Sequence, residues 1–157
     1  MASNYVAIAA NIKTKLLTVA NIGQVHDYYR WSKDAGAFLA MFSATIGGVK
    51  QIRGWEITRT AVTEHKHGAF WRHHQFRISG YMGLQDAAGT DKTFQTLVEN
   101  ICETFRTADG GATWDYRNGD SPDNSAMQVN TIDVREFGAV LCHYAEITLS
   151  VTEKIIA

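Results

Sequence analysis

A stretch of alternating residues that runs directly into a helical pattern constrains the fold of this chain more than any other feature. Residues 72–84, RHHQFRISGYMGL, alternate apolar and polar side chains, which is the period of a half-buried strand. Residues 90–105 place apolar side chains at helical spacing, and Thr90 or Asp91 can cap that helix. The pattern predicts a helix that packs on a sheet. No nucleophile, metal cage or phosphate loop lies at the junction, which favours a protein that assembles over one that catalyses.

The length and the hydropathy of the chain predict one domain without a membrane anchor. A chain of 157 residues is long enough for a single hydrophobic core, so we expect residues 1–157 to form one domain. No apolar run approaches the ~20 residues that span a bilayer, and the first residues lack the pattern of a secretory signal. We expect the protein to be made inside the cell, where Cys102 and Cys142 stay unpaired.

The charge of the chain is unevenly distributed. The net charge of −1 gives no general attraction to nucleic acid. Residues 1–60 carry seven Lys/Arg against three Asp/Glu, whereas residues 101–157 carry four against nine. Two interpretations stay open: solvated faces that neutralise one another within the fold, or a bipolar subunit whose positive side meets the negative side of the next copy.

The remaining patterns complete an α+β fold. The predicted order is a helix at 4–19, a short strand or loop at 24–31, a helix from Ser32 to Ile46, a hairpin at 55–82, a helix at 91–106, a hairpin at 112–134, and a final strand at 139–151. We expect Trp55, Ile57 and Ala61 to share one face of the first hairpin. Strands that are grouped in this way predict a mostly antiparallel sheet with long hairpins, packed against two or three helices on one face.

Histidines crowd the tip of the first hairpin, at positions 65, 67, 73 and 74. A pair such as His65 and His67 binds zinc or nickel when a third ligand meets it. We expect a tight turn at Gly68 to set His65 opposite Phe70 and His73 opposite Val62, so that the imidazoles do not converge. The sequence therefore predicts no metal site, and exposed histidines with an interface role fit better.

Catalytic motifs are absent from the sequence. There is no Gly-x-Ser-x-Gly, no P-loop and no dinucleotide fingerprint. Paired acids such as Asp120 and Asp123 lie in residues 118–126, whose composition is typical of a solvated loop rather than of acid–base catalysis. We therefore expect neither an enzyme nor a bound cofactor.

Aromatic and arginine side chains give a stronger signal. Several of them alternate onto the polar side of their strands, and Trp, Tyr and Arg dominate the energetics of protein interfaces. A second core layer is the alternative explanation for the aromatic residues. The candidate contact residues for subunits or partners are Arg53, Arg59, Trp71, Arg72, Arg77, Tyr81, Trp114, Tyr116, Arg117, Asp120 and Asp123.

Three segments resemble the tail terminator and tail-completion proteins of long-tailed bacteriophages. They are IAANIKTKLLTVANIGQVHDYYRW at residues 8–31, HHQFRISGYMG at 73–83 and TFQTLVENICETF at 93–105. In that family a leading helix runs into an Ile-Gly-x-Val passage, here at residues 22–25. A central strand with an aromatic-x-Ile pattern, here at residues 76–78, precedes a helix. The resemblance in the order of elements extends over most of the chain.

The resemblance implies a structural component of the virion. Such a subunit forms a hexameric ring on the head-proximal end of the tail, contacts the tail tube protein, stops its polymerisation and docks to a neck or head-completion protein. It would lie in the host cytoplasm before assembly. No catalytic residues come with the family. We expect glutamate at Arg53, Arg59 or Arg72 to loosen the ring and to leave the monomer folded.

Three other assignments stay open. The chain fits an adjacent neck or minor tail ring, because the sequence does not separate it from a terminator. It also fits a small cytoplasmic metal-binding protein or enzyme that uses the hairpin at residues 65–74. A binder of single-stranded nucleic acid is the third, although the basic groove that such proteins use is missing.

Overall fold

Residues 4–116 and 127–156 are described by a computed structural model, in which three helices pack on a seven-stranded sheet. The helices are α1 (Asn4–Leu16), α2 (Ala35–Phe42) and α3 (Thr90–Arg106). The strands are β1 (Gln24–His26), β2 (Ser43–Ile46), β3 (Val49–His67), β4 (Ala69–Gly83), β5 (Trp114–Asp115), β6 (Met127–Phe137) and β7 (Val140–Ile155). The arrangement confirms the predicted α+β class.

The sheet is built around β4, the strand that alternation predicts. β4 lies between β3 and β7 and is antiparallel to both, and β6 pairs antiparallel with β7. β1 runs parallel to β3, with Val25 opposite Trp55, whereas β2 pairs antiparallel with the start of β3. The described sheet is therefore mostly antiparallel, as expected, and β1 adds a parallel pair.

The hairpin of β3 and β4 forms as predicted, but its register changes along its length. Ile57 lies opposite Ile78, whereas Ala61 lies opposite Gln75, because an extra residue at Thr60 forms a β-bulge. The bulge turns Ala61 away from the face that carries Trp55 and Ile57. The prediction that these three residues share one face is wrong for Ala61.

The same bulge shifts the pairing at the tip of the hairpin by one residue. His65 lies opposite Trp71 and His73 lies opposite Thr63, with Gly68 at the turn in the left-handed region at a φ of +71°. His65 and His73 are thus diagonal neighbours on one face, and their rings stack with centroids 4.9 Å apart. The prediction that these imidazoles do not converge is wrong.

Two helices cover one face of the sheet. The apolar stripe of α3 is buried as predicted and packs with α1 on the sheet. The sheet side chains buried on this face include Trp55, Ile57, Phe76, Ile78, Ile147, Leu149 and Val151. α2 lies on the opposite face, where Phe38 and Phe42 pack on Tyr81 and Tyr144. β3, β4 and β7 therefore contribute to two apolar clusters, one on each face.

The second helix is shorter than the pattern predicts. α2 begins after Asp34 rather than Ser32, and the carboxylate of Asp34 accepts a hydrogen bond of 2.8 Å from the N–H of Ala37. The helix ends at Phe42, because residues 43–46 pair with β3 as strand β2. Pairing with a neighbouring strand stabilises these four residues more than continuing a helix that would end at two glycines.

The N-terminus of α3 has a different cap from the predicted one. Gly89 occupies the capping position and makes no side-chain hydrogen bond to the helix. The hydroxyl of Thr90 donates instead to the carbonyl of Gln85, at 3.1 Å, and contacts the buried His143, at 2.8 Å. Thr90 therefore ties the loop before α3 to the sheet.

The hairpin predicted at 112–134 is wrong for the described residues. β5 and β6 both pair with β7, with Trp114 opposite Glu153 and Met127 opposite Leu149. The second hairpin joins β6 to β7 through Gly138 and Ala139, which both have positive φ values, of +55° and +65°. The loop predicted at 118–126 lies outside the described residues.

Candidate subunit interface

The predicted contact residues divide between the two faces of the sheet. The register places Arg53, Arg59, Arg72, Trp114 and Tyr116 on the face that carries α1 and α3. Trp71, Arg77 and Tyr81 lie on the opposite face. The remaining candidates, Arg117, Asp120 and Asp123, lie outside the described residues. The predicted set is therefore not one surface.

Three of the candidates are buried within the subunit, so the prediction of a surface contact is wrong for them. Tyr116 is 0% exposed, packs edge-on against Phe105 and donates a hydrogen bond to Asn11. Tyr81 is 8% exposed, and its hydroxyl donates to the carboxylate of Glu56 at 3.0 Å. Arg53 is 6% exposed. Both tyrosines pack in the core, which was the alternative explanation for the aromatic residues. Burial raises the pKa of each hydroxyl.

Three other candidates lie at one end of the sheet. Pairing with β7 sets Trp71 opposite Lys154 and sets both Arg72 and Trp114 opposite Glu153. The ammonium of Lys154 lies 5.8 Å from the centroid of the Trp71 ring, within the range of a cation–π contact. Trp71 and Trp114 thus lie on either side of β7 at the same end of the sheet, with their side chains on opposite faces, a proximity that their separation in sequence did not indicate.

A cavity of about 530 Å³ opens beside the two tryptophans. We call it the tryptophan pocket. Its lining includes Trp71, Asp109, Thr113, Trp114, Asp115, Lys154 and Ile156. Glycines 110 and 111 line one wall, where the N–H of Gly111 donates to the carbonyl of Trp114 at 2.9 Å. Aromatic walls with a few charged groups are typical of a pocket that receives a protruding side chain.

A buried charge network lies behind this pocket. Glu153 is 1% exposed and accepts hydrogen bonds from Asn4, at 2.6 Å, and from Nε2 of His74, at 2.7 Å. Nδ1 of His74 lies 3.4 Å from the guanidinium of Arg59, and Arg72 lies 3.9 Å from Glu153. These contacts favour a neutral imidazole that donates through Nε2 and accepts through Nδ1. Burial lowers the pKa of His74, although Glu153 acts in the opposite direction.

The network changes what the predicted arginine substitutions would do. The guanidinium of Arg59 also lies 4.6 Å from the ring centroid of Tyr5 in α1, and Arg72 forms a 3.0 Å ion pair with Glu64. Glutamate at Arg59 or Arg72 would place a second carboxylate beside Glu153. Arg59 and Arg72 therefore make contacts within the subunit, so we expect these variants to destabilise the monomer as well, whereas the sequence-based expectation was that the monomer stays folded.

An exposed aromatic loop lies at the other end of the sheet, and the candidate contacts did not include it. Tyr28, Tyr29 and Trp31 are 54%, 55% and 72% exposed. The backbone N–H of Arg30 donates to the carboxylate of Glu56 at 3.0 Å, so the loop is fixed to β3. We call residues 28–31 the aromatic loop. Three aromatic residues among four were the signal available in the sequence.

Glu56 and Arg30 hold the aromatic loop in place. Glu56 is 4% exposed and accepts from both the Arg30 backbone and Tyr81, and burial raises the pKa of its carboxyl. The Arg30 guanidinium lies 3.2 Å from Nδ1 of His26 and 5.1 Å from the ring centroid of Tyr28. The loop therefore presents its aromatic rings from a fixed base.

The aromatic loop and the tryptophan pocket lie at opposite ends of the long strands. The loop is attached beside Glu56 and Tyr81, whereas the pocket opens beside Trp71. Tyr81 lies ten positions after Trp71 in β4, which is roughly 34 Å at the rise of an antiparallel strand. One subunit therefore carries a projecting group at one end and a recess at the other.

The histidines at the hairpin tip form a pair and not a cage. His65 and His73 stack, and Nδ1 of His73 lies 3.3 Å from the hydroxyl of Thr152. Within residues 4–116 and 127–156, no group of three or more His, Cys, Asp or Glu side chains is arranged to hold a metal ion. In the same residues, no helix has both the length and the apolar character needed to cross a membrane.

Comparison with known proteins gives no family assignment: no family model matches the chain, and no curated protein matches it in sequence.

Proposed function

We propose that this protein is a structural component of a bacteriophage virion, a tail terminator that forms a ring on the head-proximal end of the tail tube. One observation carries the proposal: the aromatic loop and the tryptophan pocket lie at opposite ends of the same subunit. The resemblance of residues 8–31, 73–83 and 93–105 to tail terminators supplies the biological setting.

A projection at one end and a recess at the other suit head-to-tail association. When the loop of one copy enters the pocket of the next, each contact is heterologous, and the repeated rotation closes a ring. A two-fold dimer would instead need one patch that is complementary to itself. Trp31, the most exposed aromatic residue of the loop, is the side chain that would enter the pocket.

Some charges of opposite sign around the two elements can pair in the same orientation. Arg30 and the exposed Lys33 accompany the aromatic loop beside Asp27 and Asp34, whereas Asp109 and Asp115 line the tryptophan pocket with Lys154. Opposite charges on the two sides steer association and disfavour contacts between like ends. This pairing brings the basic first third of the chain to the acidic last third of its neighbour.

The proposed position on the tail gives the hairpin of β3 and β4 a further role. Residues 60–68, at the tip of this hairpin, are all exposed. In a ring they would reach the adjoining layers, the tail tube protein on one side and the neck or head-completion protein on the other. Capping the tube in this way ends its polymerisation and leaves a docking surface for the head.

The ring contact is tested by truncating Trp31. Trp31→Ala removes the anchor, and we expect the dissociation constant between copies to rise about thirty-fold, from a loss of about 2 kcal/mol. Native mass spectrometry and light scattering measure the size of the assembly. Leu17→Ala is the matched control, because Leu17 is 53% exposed and lies outside both elements. A wild-type protein that stays monomeric, or equal losses in both variants, would overturn the proposed contact.

Charge exchange tests the orientation of the contact. Lys33→Glu should weaken the ring, and the addition of Asp109→Lys should restore part of the association, because the opposite charges meet again with reversed sign. Two additive losses would show that these residues do not face one another across the contact.

The terminator role is tested with the tail tube protein of the same phage. When the purified protein is added during tube polymerisation, we expect shorter tubes that carry a ring at one end in negative-stain images. A protein of an adjacent neck or minor tail ring would leave tube length unchanged. That result would refute the terminator assignment and leave the ring itself intact.

A further inference from the structure

A second pocket lies on the helix-bearing face, away from the aromatic loop and the tryptophan pocket. It has a volume of about 390 Å³ and opens between the turn that follows α1 and the side of α3. We call it the basic pocket. The side chains that define it are Asn21, Arg53, Lys92, Thr93, Leu97 and Asn100. No carboxylate among the described residues lines it.

Arg53 is an unusual group to find on the wall of such a pocket. It is 6% exposed, yet within the described residues it has no carboxylate partner. Its guanidinium donates to the backbone carbonyl of Asn21, at 3.2 Å, and to the side-chain oxygen of Gln51, at 3.1 Å. Its Nε is buried without a hydrogen-bond partner. Two neutral acceptors thus serve a group that carries five N–H donors.

This arrangement leaves a buried positive charge uncompensated. Moving a charge out of water is costly unless an opposite charge and hydrogen bonds replace the lost solvation. Burial lowers the pKa of Arg53, but arginine stays protonated at neutral pH because its ordinary pKa is so high. The neighbouring Lys92 is exposed and adds a second cation. The pocket therefore favours a negatively charged ligand over a positively charged one.

We propose that the basic pocket binds an oxyanion, either a carboxylate or a phosphate group. Arg53 and Lys92 supply charge-assisted hydrogen bonds to its oxygens. The hydroxyl of Thr93 and the amide of Asn100 are neutral donors on the same wall, and Leu97 provides an apolar floor. A carboxylate would come from an acidic side chain of an adjoining protein, and a phosphate from a phosphorylated molecule.

Binding is tested on the purified wild-type protein with inorganic phosphate and with acetate. Each is titrated against thermal unfolding and by isothermal calorimetry, with sodium chloride added to match ionic strength. A ligand that binds only the folded state raises the unfolding temperature as its concentration increases. We expect at least one of the two anions to raise it above the chloride reference.

Variants then assign the effect to the pocket. Lys92→Gln removes an exposed charge, so the fold should persist, and we expect affinity to fall roughly ten-fold, as for one charge-assisted hydrogen bond. Lys50→Gln is the matched control, because Lys50 is also exposed and lies outside the pocket. Arg53→Gln should abolish binding; if that variant does not fold, Lys92→Gln decides.

The outcomes separate the possible sources of the anion. Phosphate binding without acetate binding identifies a phosphate group, and comparable binding of acetate identifies a carboxylate. If neither anion acts beyond chloride, or if Lys92→Gln and Lys50→Gln weaken the effect equally, the proposed site is refuted. The test does not depend on ring formation, because the pocket is complete within one subunit.

Discussion

Gly80 lies where the core has no space for a larger residue. It pairs with Trp55 across β3 and β4, and a Cβ atom at Gly80 would lie 2.1 Å from Cζ3 of the indole. Trp55 is 0% exposed, and its Nε1–H donates to the carbonyl of Ile22 at 3.0 Å. Its ring also stacks on Phe94 of α3, with centroids 5.9 Å apart. Gly80→Ala therefore requires the indole to move.

We expect Gly80→Ala to cost about 3 kcal/mol of unfolding free energy. Overpacking a well-filled core costs typically 1–3 kcal/mol, and loss of the Trp55 hydrogen bond leaves a buried donor at a cost of about 1–3 kcal/mol more. A change of 3 kcal/mol is a large part of the 5–15 kcal/mol typical of a domain. It lowers the melting temperature by roughly 6–12 °C for a chain of this length.

Urea unfolding followed by circular dichroism measures the effect. Gly83→Ala in the same strand is the control, because its Cβ would lie 3.8 Å from that of Ile52, an ordinary contact. We expect that variant to stay within about 0.5 kcal/mol of wild type. In a Trp55→Leu background the steric cost of Gly80→Ala should largely disappear. A cost below about 1 kcal/mol, or the same cost in both backgrounds, would refute the argument.

Two further predictions concern buried polar groups. Burial lowers the pKa values of His74 and His143, so the unfolded chain binds more protons below pH ~6.5 and stability should fall with decreasing pH through that region. Burial raises the pKa of Glu56, so its carboxyl takes up a proton more readily in the folded state and offsets part of this loss of stability. In Glu56→Gln that offset is absent, and urea midpoints measured at several pH values should fall more steeply towards acid pH. Tyr116→Phe removes the hydrogen bond to Asn11 and should cost about 1 kcal/mol in urea unfolding; an unchanged midpoint would contradict a contribution from that bond.

Local periodicity predicted the parts of the fold that depend on local order. The alternation of β4 and the stripe of α3 each lie within one element, and both are buried as the pattern indicates. The bulge at Thr60 was not predictable, because an alternating pattern does not mark an extra residue. That single residue moved Ala61 to the other face and brought His65 beside His73.

For the candidate interface, the sequence indicated which residue types to consider but not which of those residues lie near one another. Trp71 and Trp114 come to the same end of the sheet only because β7 pairs with both β4 and β5, and such long-range pairing leaves no mark on spacing in the sequence. Tyr116 and Tyr81 pack in the core, and composition alone does not distinguish a core tyrosine from one at a surface contact. The basic pocket depends on the burial of Arg53, which only the folded structure reveals.

The exposed edge of β3 bears on how copies associate. From residue 58 to residue 67, β3 pairs with β4 alone among the described strands, so its outer edge has free backbone groups. Such edges invite open-ended strand pairing, and proteins oppose it with bulges and charges. Here the bulge at Thr60 twists the edge, and Glu64 and Lys66 place charges along it. Unlimited strand addition is therefore disfavoured, whereas in the proposed ring the aromatic loop of one copy would enter the tryptophan pocket of the next and leave no open end.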